Sequence, residues 1–212
     1  MRLRIATLIL SLCAAGTAVR AADYQIDPAH SSVVFKIRHM GISTVSGSFS
    51  DVSGSFGVDP KNIEATKGTA IIKAGSANTN NAKRDGELKG DDFFNAEKFP
   101  DIRFTSKAVR NVKPADSTCE LVGDLTIRDI TREIVLKVKG TGILPNDGWG
   151  NERAAFSATG WVNRFDFGLK WNKVLEAGGL VVAPEVQLQL AFEGVRPLGA
   201  GPAAKPAEKA RK

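Results

Sequence analysis

Apolar and polar residues alternate along most of this chain. Residues 33–39 (VVFKIRH) show the pattern: Val33, Phe35 and Ile37 lie on one side of an extended chain, and His39 ends that side. A period of two is typical of a β-strand with one buried face. The stretch predicts a strand and raises the question of what its apolar face packs against.

The same alternation recurs in seven further segments. Together with residues 31–39, the predicted strands cover residues 44–58, 68–74, 101–108, 121–128, 132–144, 154–162 and 185–194. Sequential strands with one apolar and one polar face form antiparallel sheets, and closing such a sheet removes the edge strands that promote aggregation. The sequence predicts an all-β fold, an eight-stranded antiparallel barrel, with a two-sheet sandwich as the alternative.

The segment 44–58 changes phase in the middle. Its apolar positions are odd-numbered up to Phe49 and even-numbered from Val52 onwards. One extra residue near Ser50 and Asp51 would return both halves to the same face, as a β-bulge does. We therefore predict a long, sharply curved strand here.

One segment breaks the alternation and is predicted to be helical. Asn81 can cap a short helix that runs to about Lys89, and Gly90 can end it. We expect this helix to lie across one end of the sheet as a lid or plug.

The first 21 residues have the pattern of a secretory signal peptide. Arg2 and Arg4 precede an uncharged run over residues 5–19, which is shorter than the roughly 20 residues that a membrane-spanning helix needs. We place cleavage after Ala21, with Ala18 as the alternative. The prediction is a soluble, exported protein whose folded domain covers residues 22–198.

The net charge of +6 comes from the two ends of the chain. Three basic residues in 1–21, and four basic and one acidic residue in 199–212, leave 22 basic and 22 acidic residues of the totals 29 and 23. A neutral domain gives no argument for nucleic-acid binding. The basic tail 199–212 is predicted to be disordered and solvated, with contact to anionic lipid as the alternative.

The residues on the inward faces leave the filling of the barrel open. Many are Gly, Ala or Ser. These small residues either allow the barrel to bend at its corners and to narrow, or they leave a channel. The larger inward residues are almost all hydrocarbon: Val33, Phe35, Ile37, Ile102, Phe104, Leu125, Leu136, Phe156, Leu188 and Leu190. A channel with these walls would suit a long hydrocarbon chain, which apolar burial alone could hold.

Residue types that carry catalysis or bind metals are sparse. The two histidines, His30 and His39, lack a third metal ligand at a recognisable spacing. A nucleophile arrangement of Asp27, His30 and Ser31 is disfavoured, because consecutive residues of an extended chain point to opposite faces. Cys119 is the single thiol outside the signal peptide, and neighbouring Glu120 disfavours its thiolate. We predict no enzyme, no metal and no cofactor.

Several residues are candidates for the rim of such a channel. His39 ends an apolar face, and Phe93 and Phe94 follow the predicted helix, where they either pack a lid or border an entrance. Asn163 and Arg164 lie within VNRFDFGL. Arg164 either pairs with Asp166 to stabilise a loop or presents its guanidinium to a phosphate, carboxylate or quinone oxygen.

Four ordered blocks resemble the YceI-like family of exported bacterial lipid-binding proteins. They are DPAHSSVVFKIRHMGISTVSGSF, KRDGELKGDDFFNAEKFPDIRF, GDLTIRDITREIVLKV and VNRFDFGL, and the likeness spans roughly residues 23–196. The resemblance implies a lipocalin-like eight-stranded barrel with a short helix, an apolar tunnel for polyisoprenoid chains such as quinones or prenyl phosphates, and a periplasmic location. Two positions depart from the family: Glu87 stands where His is frequent, and Arg128 with Asp129 where His-Gly is common.

These observations favour a periplasmic carrier that holds one long isoprenoid or a similar lipid, with no established catalytic activity. The alternative is a packed barrel that acts as a protein or membrane interaction module, and it predicts no internal cavity. Transient membrane contact and a homodimer both stay open.

Overall fold

The computed structural model describes residues 22–176 and 178–199. The predicted signal peptide and residues 200–212 of the predicted tail lie outside this part of the chain. No helix within it is long and apolar enough to cross a membrane.

The described residues form eleven strands and one α-helix. The strands are β1 (Ala22–Ile26), β2 (Ser32–His39), β3 (Ser43–Phe49), β4 (Val52–Val58), β5 (Lys67–Lys73), β6 (Ala77–Asn78), β7 (Asp101–Lys113), β8 (Thr118–Ile127), β9 (Ile130–Leu144), β10 (Asn151–Asn163) and β11 (Val182–Pro197). The helix is α1 (Ala82–Lys89), and short 3-10 helices cover Ile63–Ala65, Ala74–Ser76, Pro114–Asp116 and Arg164–Phe167.

All strand pairings are antiparallel, and the sheet closes on itself. The order around the sheet is β1, β4, β5, β7, β8, β9, β10 and β11, and β11 pairs again with β1. β2 continues the position of β1, since both pair with β11, and β3 continues that of β4. This closed eight-position barrel confirms the predicted fold, and the sandwich alternative is wrong.

The predicted change of phase in residues 44–58 is confirmed as an interruption of the strand. Phe49 at the end of β3 and Val52 at the start of β4 are both buried, although an odd number of steps on one continuous strand would place one of them outside. Ser50 and Asp51 form the break, so the chain bends into two strands rather than one curved strand.

Helix α1 has the predicted ends. The Asn81 side chain accepts a hydrogen bond from the backbone N–H of Arg84, and Gly90 follows the last turn. Its Leu88 packs against the main hydrophobic core. We refer to this side of the barrel, where β2, β8 and β10 end, as the helix end.

A small second core lies where β1 closes the barrel. We call Tyr24, Phe56, Ala154 and Gly194 the seam. Tyr24 is 1% exposed and stacks on Phe56 with ring centroids 5.4 Å apart. Burial, and then the hydrogen bond that its hydroxyl donates to Glu152, raise the pKa of Tyr24 to about 12.

An ion-pair network lies beside the seam and is centred on Arg153. Its guanidinium donates to Asp147 at 2.9 Å, to Glu193 at 2.5 Å and to Asp27 at 3.2 Å. The carboxylate oxygens of Asp27 and Glu193 and a ring nitrogen of His30, which are atom types that can bind a metal ion, lie within 4.8 Å of one another. Because the Arg153 guanidinium already bonds both carboxylates, this group is an ion-pair cluster whose positive charge comes from the protein.

Candidate functional site

A cavity of about 770 Å³ occupies the inside of the barrel. Its lining includes His39, Phe93 and Trp171 at the helix end, and Val112 and Ile143 at the opposite end. The cavity therefore extends along the barrel. Its existence answers the question that the sequence left open, and it counts against the alternative of a packed barrel.

Fourteen of the fifteen predicted ligand-contacting residues line this cavity, and the exception is Asn163. The fourteen are Val33, Phe35, Ile37, His39, Phe93, Phe94, Ile102, Phe104, Leu125, Leu136, Phe156, Arg164, Leu188 and Leu190. The Asn163 side chain instead accepts a hydrogen bond from the Phe165 backbone N–H and caps a 3-10 helix. Its role is local, because it caps the 3-10 helix and does not line the cavity.

Aromatic side chains lie against the barrel wall over glycines. A Cβ atom at Gly47 would fall 2.3 Å from the Phe35 ring, and one at Gly123 would fall 2.4 Å from the Phe104 ring. Gly47 is the direct cross-strand partner of Phe35. Gly123 pairs with Ser106 and lies diagonally from Phe104, whose ring reaches over it. The glycines thus give rings a place beside the wall, which leaves the middle of the barrel open although its lining is rich in phenylalanine.

The helix end of the cavity is bordered by two aromatic contacts. Phe94 meets Phe49 edge-on, with ring centroids 5.6 Å apart. Phe93 meets Trp171 with centroids 5.5 Å apart, and Trp171 is 39% exposed. Phe93 and Trp171 belong to different loops, so this contact lies between two segments outside the sheet.

Arg164 is buried and holds the second of these loops. Only 4% of it is exposed, and its guanidinium donates to the carbonyls of Leu169, Ala183, Trp171 and Val182 at 2.5–3.1 Å. Burial lowers the pKa of the Arg164 guanidinium. The loop-stabilising interpretation has the right role but the wrong partner, since Arg164 bonds carbonyl groups rather than Asp166.

A polar group on α1 meets the apolar wall at the same end. Arg84 donates to the Thr79 hydroxyl at 2.7 Å and to the Thr79 carbonyl at 2.9 Å. Asp85 accepts a hydrogen bond from the same hydroxyl at 2.6 Å. This bond lowers the pKa of the Asp85 carboxyl, and burial, which acts to raise that pKa, is the smaller effect. We call His39, Thr79, Arg84, Phe93 and Trp171, which all line the cavity, the mouth.

Sequence reasoning missed Arg84, Thr79 and Trp171. Arg84 belongs to a strongly polar helix, where a basic side chain ordinarily indicates a solvated face. Thr79 and Trp171 lie outside the alternating segments. The predicted lid gave the one usable signal, because a helix across the barrel end must bring some of its side chains to the opening.

The two departures from the family pattern occupy different places. Glu87 lines the cavity at the helix end. Arg128 donates to the carbonyls of Asp91, Phe93 and Gly168 at 3.3–3.5 Å. Arg128 thus connects the loop of Phe93 with the segment after β10.

Cys119 lines the cavity towards the opposite end. Burial raises the pKa of its thiol, so the thiol is less nucleophilic than an ordinary one. The conclusion drawn from the sequence holds for a different reason, since burial rather than neighbouring Glu120 causes the shift.

The disfavoured nucleophile arrangement is not assembled in the described residues. The His30 ring lies 2.8 Å from the Asp27 carboxylate. The Ser31 hydroxyl instead donates to the carbonyl of Glu193 at 3.3 Å and accepts from its N–H at 3.1 Å. Ser31 therefore completes the junction between β2 and β11.

Comparison with known proteins agrees with this architecture. The YceI-like domain pattern matches residues 24–194. A UPF0312 protein of Yersinia enterocolitica is 41% identical over 184 residues, which cover 86% of this chain and 90% of the relative.

Solved structures show the same fold. The Campylobacter jejuni YceI protein is 32% identical, with a TM-score of 0.64 over 76% of this chain and 90% of that one. Burkholderia cenocepacia BcnA is 20% identical, with a TM-score of 0.66 over 79% of this chain and 98% of its own. A domain of Saccharophagus degradans described as polyisoprenoid binding is 15% identical, with a TM-score of 0.55 over 84% and 99%.

Proposed function

This chain belongs to the YceI-like family, and we propose that it is a periplasmic carrier or storage protein for one long isoprenoid or similar lipid. The observation that carries the proposal is the apolar cavity that extends along the barrel. The description of the Saccharophagus degradans domain of the same fold as polyisoprenoid binding agrees with it.

The cavity has the size and chemistry for a hydrocarbon chain. An apolar cavity of about 150 Å³ holds a benzene-sized guest, so 770 Å³ corresponds to on the order of 30 carbon atoms. Burial of each methylene contributes roughly 0.8 kcal/mol without any directional bond. Affinity would thus grow with chain length until the cavity is full.

The mouth gives the lipid an orientation. Arg84 and His39 offer hydrogen-bond donors at the helix end, whereas the middle of the cavity, lined by Phe104, Leu125 and Leu188, is hydrocarbon. A quinone or polyprenyl head group has oxygen atoms that accept hydrogen bonds from such donors. We place the head group at the mouth, with the chain extending towards Cys119.

Lipid extraction tests the proposal directly. The protein is expressed in a quinone-producing bacterium with export, purified without detergent, extracted with organic solvent and examined by mass spectrometry. We expect one isoprenoid lipid per protein. Recovery of no lipid, together with no uptake when quinones or polyprenols are supplied, would count decisively against the proposal.

A matched pair of substitutions on β9 distinguishes lipid binding inside the cavity from binding on the outer surface of the barrel. Val138 lines the cavity, whereas Val135 on the same strand is 45% exposed. Val138→Trp should shift the extracted lipids to shorter chains or remove them, because the indole takes up cavity volume. Val135→Trp should leave the lipid profile unchanged, and equal profiles for both variants would contradict binding inside the barrel.

A further inference from the structure

Exposed apolar side chains gather beside the mouth. Ile42, in the hairpin between β2 and β3, is 82% exposed, and Met40 in the same hairpin is 42% exposed. Val174, in the segment before β11, is 75% exposed. We call Met40, Ile42 and Val174 the lip.

Hydrogen bonds join the two segments that carry the lip. The Met40 N–H donates to the Val181 carbonyl at 2.8 Å, and the Val181 N–H donates to the Lys173 carbonyl at 2.9 Å. The Asn172 side chain donates to the Val182 carbonyl at 2.6 Å. The lip therefore belongs to one connected surface.

Basic residues lie on both segments that carry the lip. Residues 36–46 and 170–174 contain four basic residues, Lys36, Arg38, Lys170 and Lys173, and no acidic residue, with Glu176 the next acid along the chain. Arg38 donates to the Gly41 carbonyl at 2.7 Å, which holds its charge at the hairpin tip. Exposed apolar side chains with basic neighbours are the composition that inserts into anionic lipid surfaces.

The lip is continuous with the cavity. His39 precedes Met40 along the chain, Trp171 precedes Val174 by three positions, and Val181 bonds Met40, and all three of these neighbours line the cavity. A long isoprenoid resides in bilayers because water does not dissolve it. A carrier must therefore meet a bilayer to load or release its lipid.

We propose that the lip docks the mouth onto an anionic lipid bilayer, where Met40, Ile42 and Val174 enter the interface and the basic residues meet the head groups. This inference rests on the proposed function as a lipid carrier. The docked geometry lets the lipid pass between bilayer and cavity without crossing water.

The opposite end of the barrel offers a rival apolar surface with different charge. Leu144 is 52% exposed and Trp149 is 83% exposed. The two arginines beside them are already paired, since Arg153 bonds Asp147 and Arg196 bonds Glu152. Charge complementarity with anionic lipid therefore favours the lip.

Vesicle binding by the full chain tests the docking. The probes are vesicles of pure phosphatidylcholine and of an equal mixture with phosphatidylglycerol, followed by sedimentation at rising NaCl concentration. We expect binding to the anionic vesicles that weakens with salt. The double variant Ile42→Asp with Val174→Asp should bind about tenfold or more weakly, and the matched double variant Leu144→Asp with Trp149→Asp should bind like the parent protein.

Lipid uptake from detergent micelles separates the two proposals. If the parent protein takes up lipid from micelles but does not bind anionic vesicles, the docking is wrong and the carrier function stands. If it takes up lipid from neither source, the carrier function itself is wrong. Retained vesicle binding in the lip variant, or loss only in the Leu144 and Trp149 variant, would overturn the docking.

A charge variant keeps the test informative if the lip variant does not fold. Lys170 and Lys173 are exposed, so Lys170→Glu with Lys173→Glu should fold, take up lipid from micelles and bind anionic vesicles about tenfold more weakly. Unchanged vesicle binding in this variant would overturn the docking.

Discussion

The seam and the mouth both contain a pair of aromatic side chains in contact, yet the two pairs are held in different ways. At the seam, Tyr24 and Phe56 stack within strands of the closed sheet. At the mouth, Phe93 and Trp171 meet between two loops, which Arg128 and Arg164 hold through backbone carbonyls. Of the two pairs, only Tyr24 and Phe56 lie on strands that are paired on both sides.

This difference indicates different roles for the two regions. Segments with few packed neighbours open locally at lower free energy than strands inside a sheet. The seam therefore keeps the barrel closed, while the mouth can part without unfolding the sheet. A lipid carrier needs both properties at separate places.

Truncation of one aromatic residue in each region gives the largest expected contrast. Tyr24→Ala should lower the free energy of unfolding by about 3–5 kcal/mol, because it leaves a cavity in a packed cluster. Trp171→Ala should cost about 1 kcal/mol or less, because its side chain is partly exposed, but it should release bound lipid faster. Urea unfolding and lipid-release rates measure these effects, and equal unfolding costs would refute the contrast.

A glycine-to-alanine pair sharpens the comparison at smaller cost. A Cβ atom at Gly194 would lie 2.6 Å from the Phe56 ring and 2.7 Å from Tyr24 Cβ, where neither neighbour can yield. Gly194→Ala should therefore destabilise by about 1–3 kcal/mol. A Cβ atom at Gly47 would meet the ends of two side chains, the Phe35 ring at 2.3 Å and the Thr79 methyl group at 2.7 Å. Gly47→Ala should destabilise less than Gly194→Ala but reduce lipid uptake, because the Phe35 ring can turn into the cavity.

The control for this pair is Gly86→Ala on α1. A Cβ atom there would meet nothing within 4 Å, so the variant should be as stable as the parent protein or slightly more so. Thermal unfolding and quinone uptake are compared for all three variants. A larger stability loss for Gly47→Ala than for Gly194→Ala would contradict a packed seam beside an open interior.

The ion pairs beside the seam predict a smaller, pH-dependent effect. Burial alone would raise the pKa of the Asp147 carboxyl, but hydrogen bonds from Arg153, Trp149 and Asn151 hold this pKa well below its usual range. A depressed folded-state pKa contributes stability above the ordinary value near 4, and this stability is lost as the pH falls towards the folded-state pKa. Arg153→Met should therefore lower the urea midpoint at pH 7, with a smaller difference from the parent protein near pH 2 to 3.

Arg110→Met is the control for this prediction. Arg110 is exposed on β7 and has no ion pair among the described residues, so its loss should change the midpoint little at either pH. If the gap between the Arg153 variant and the parent protein were the same in acid and at neutral pH, paired carboxylates would not account for it.

The strands and their inward faces followed from the sequence because a period of two is a local property of extended chains. Residues such as Phe104 and Leu188 could be placed inside by position alone. The cap at Asn81 and the break at Ser50 were equally local. Tyr24 was missed because β1 has only five residues before Asp27 and Pro28.

What is distant in the chain required the tertiary structure. Gln25 pairs with Val195 to close the barrel, and Arg164 donates to four carbonyls on two segments. Neither interaction produces a pattern that can be recognised in the local sequence. The open interior depends on cross-strand register, which places the Phe35 ring over its direct partner Gly47 and the Phe104 ring over its diagonal neighbour Gly123. Alternation tells which side chains face inward, but only three-dimensional packing decides whether those side chains meet in the middle.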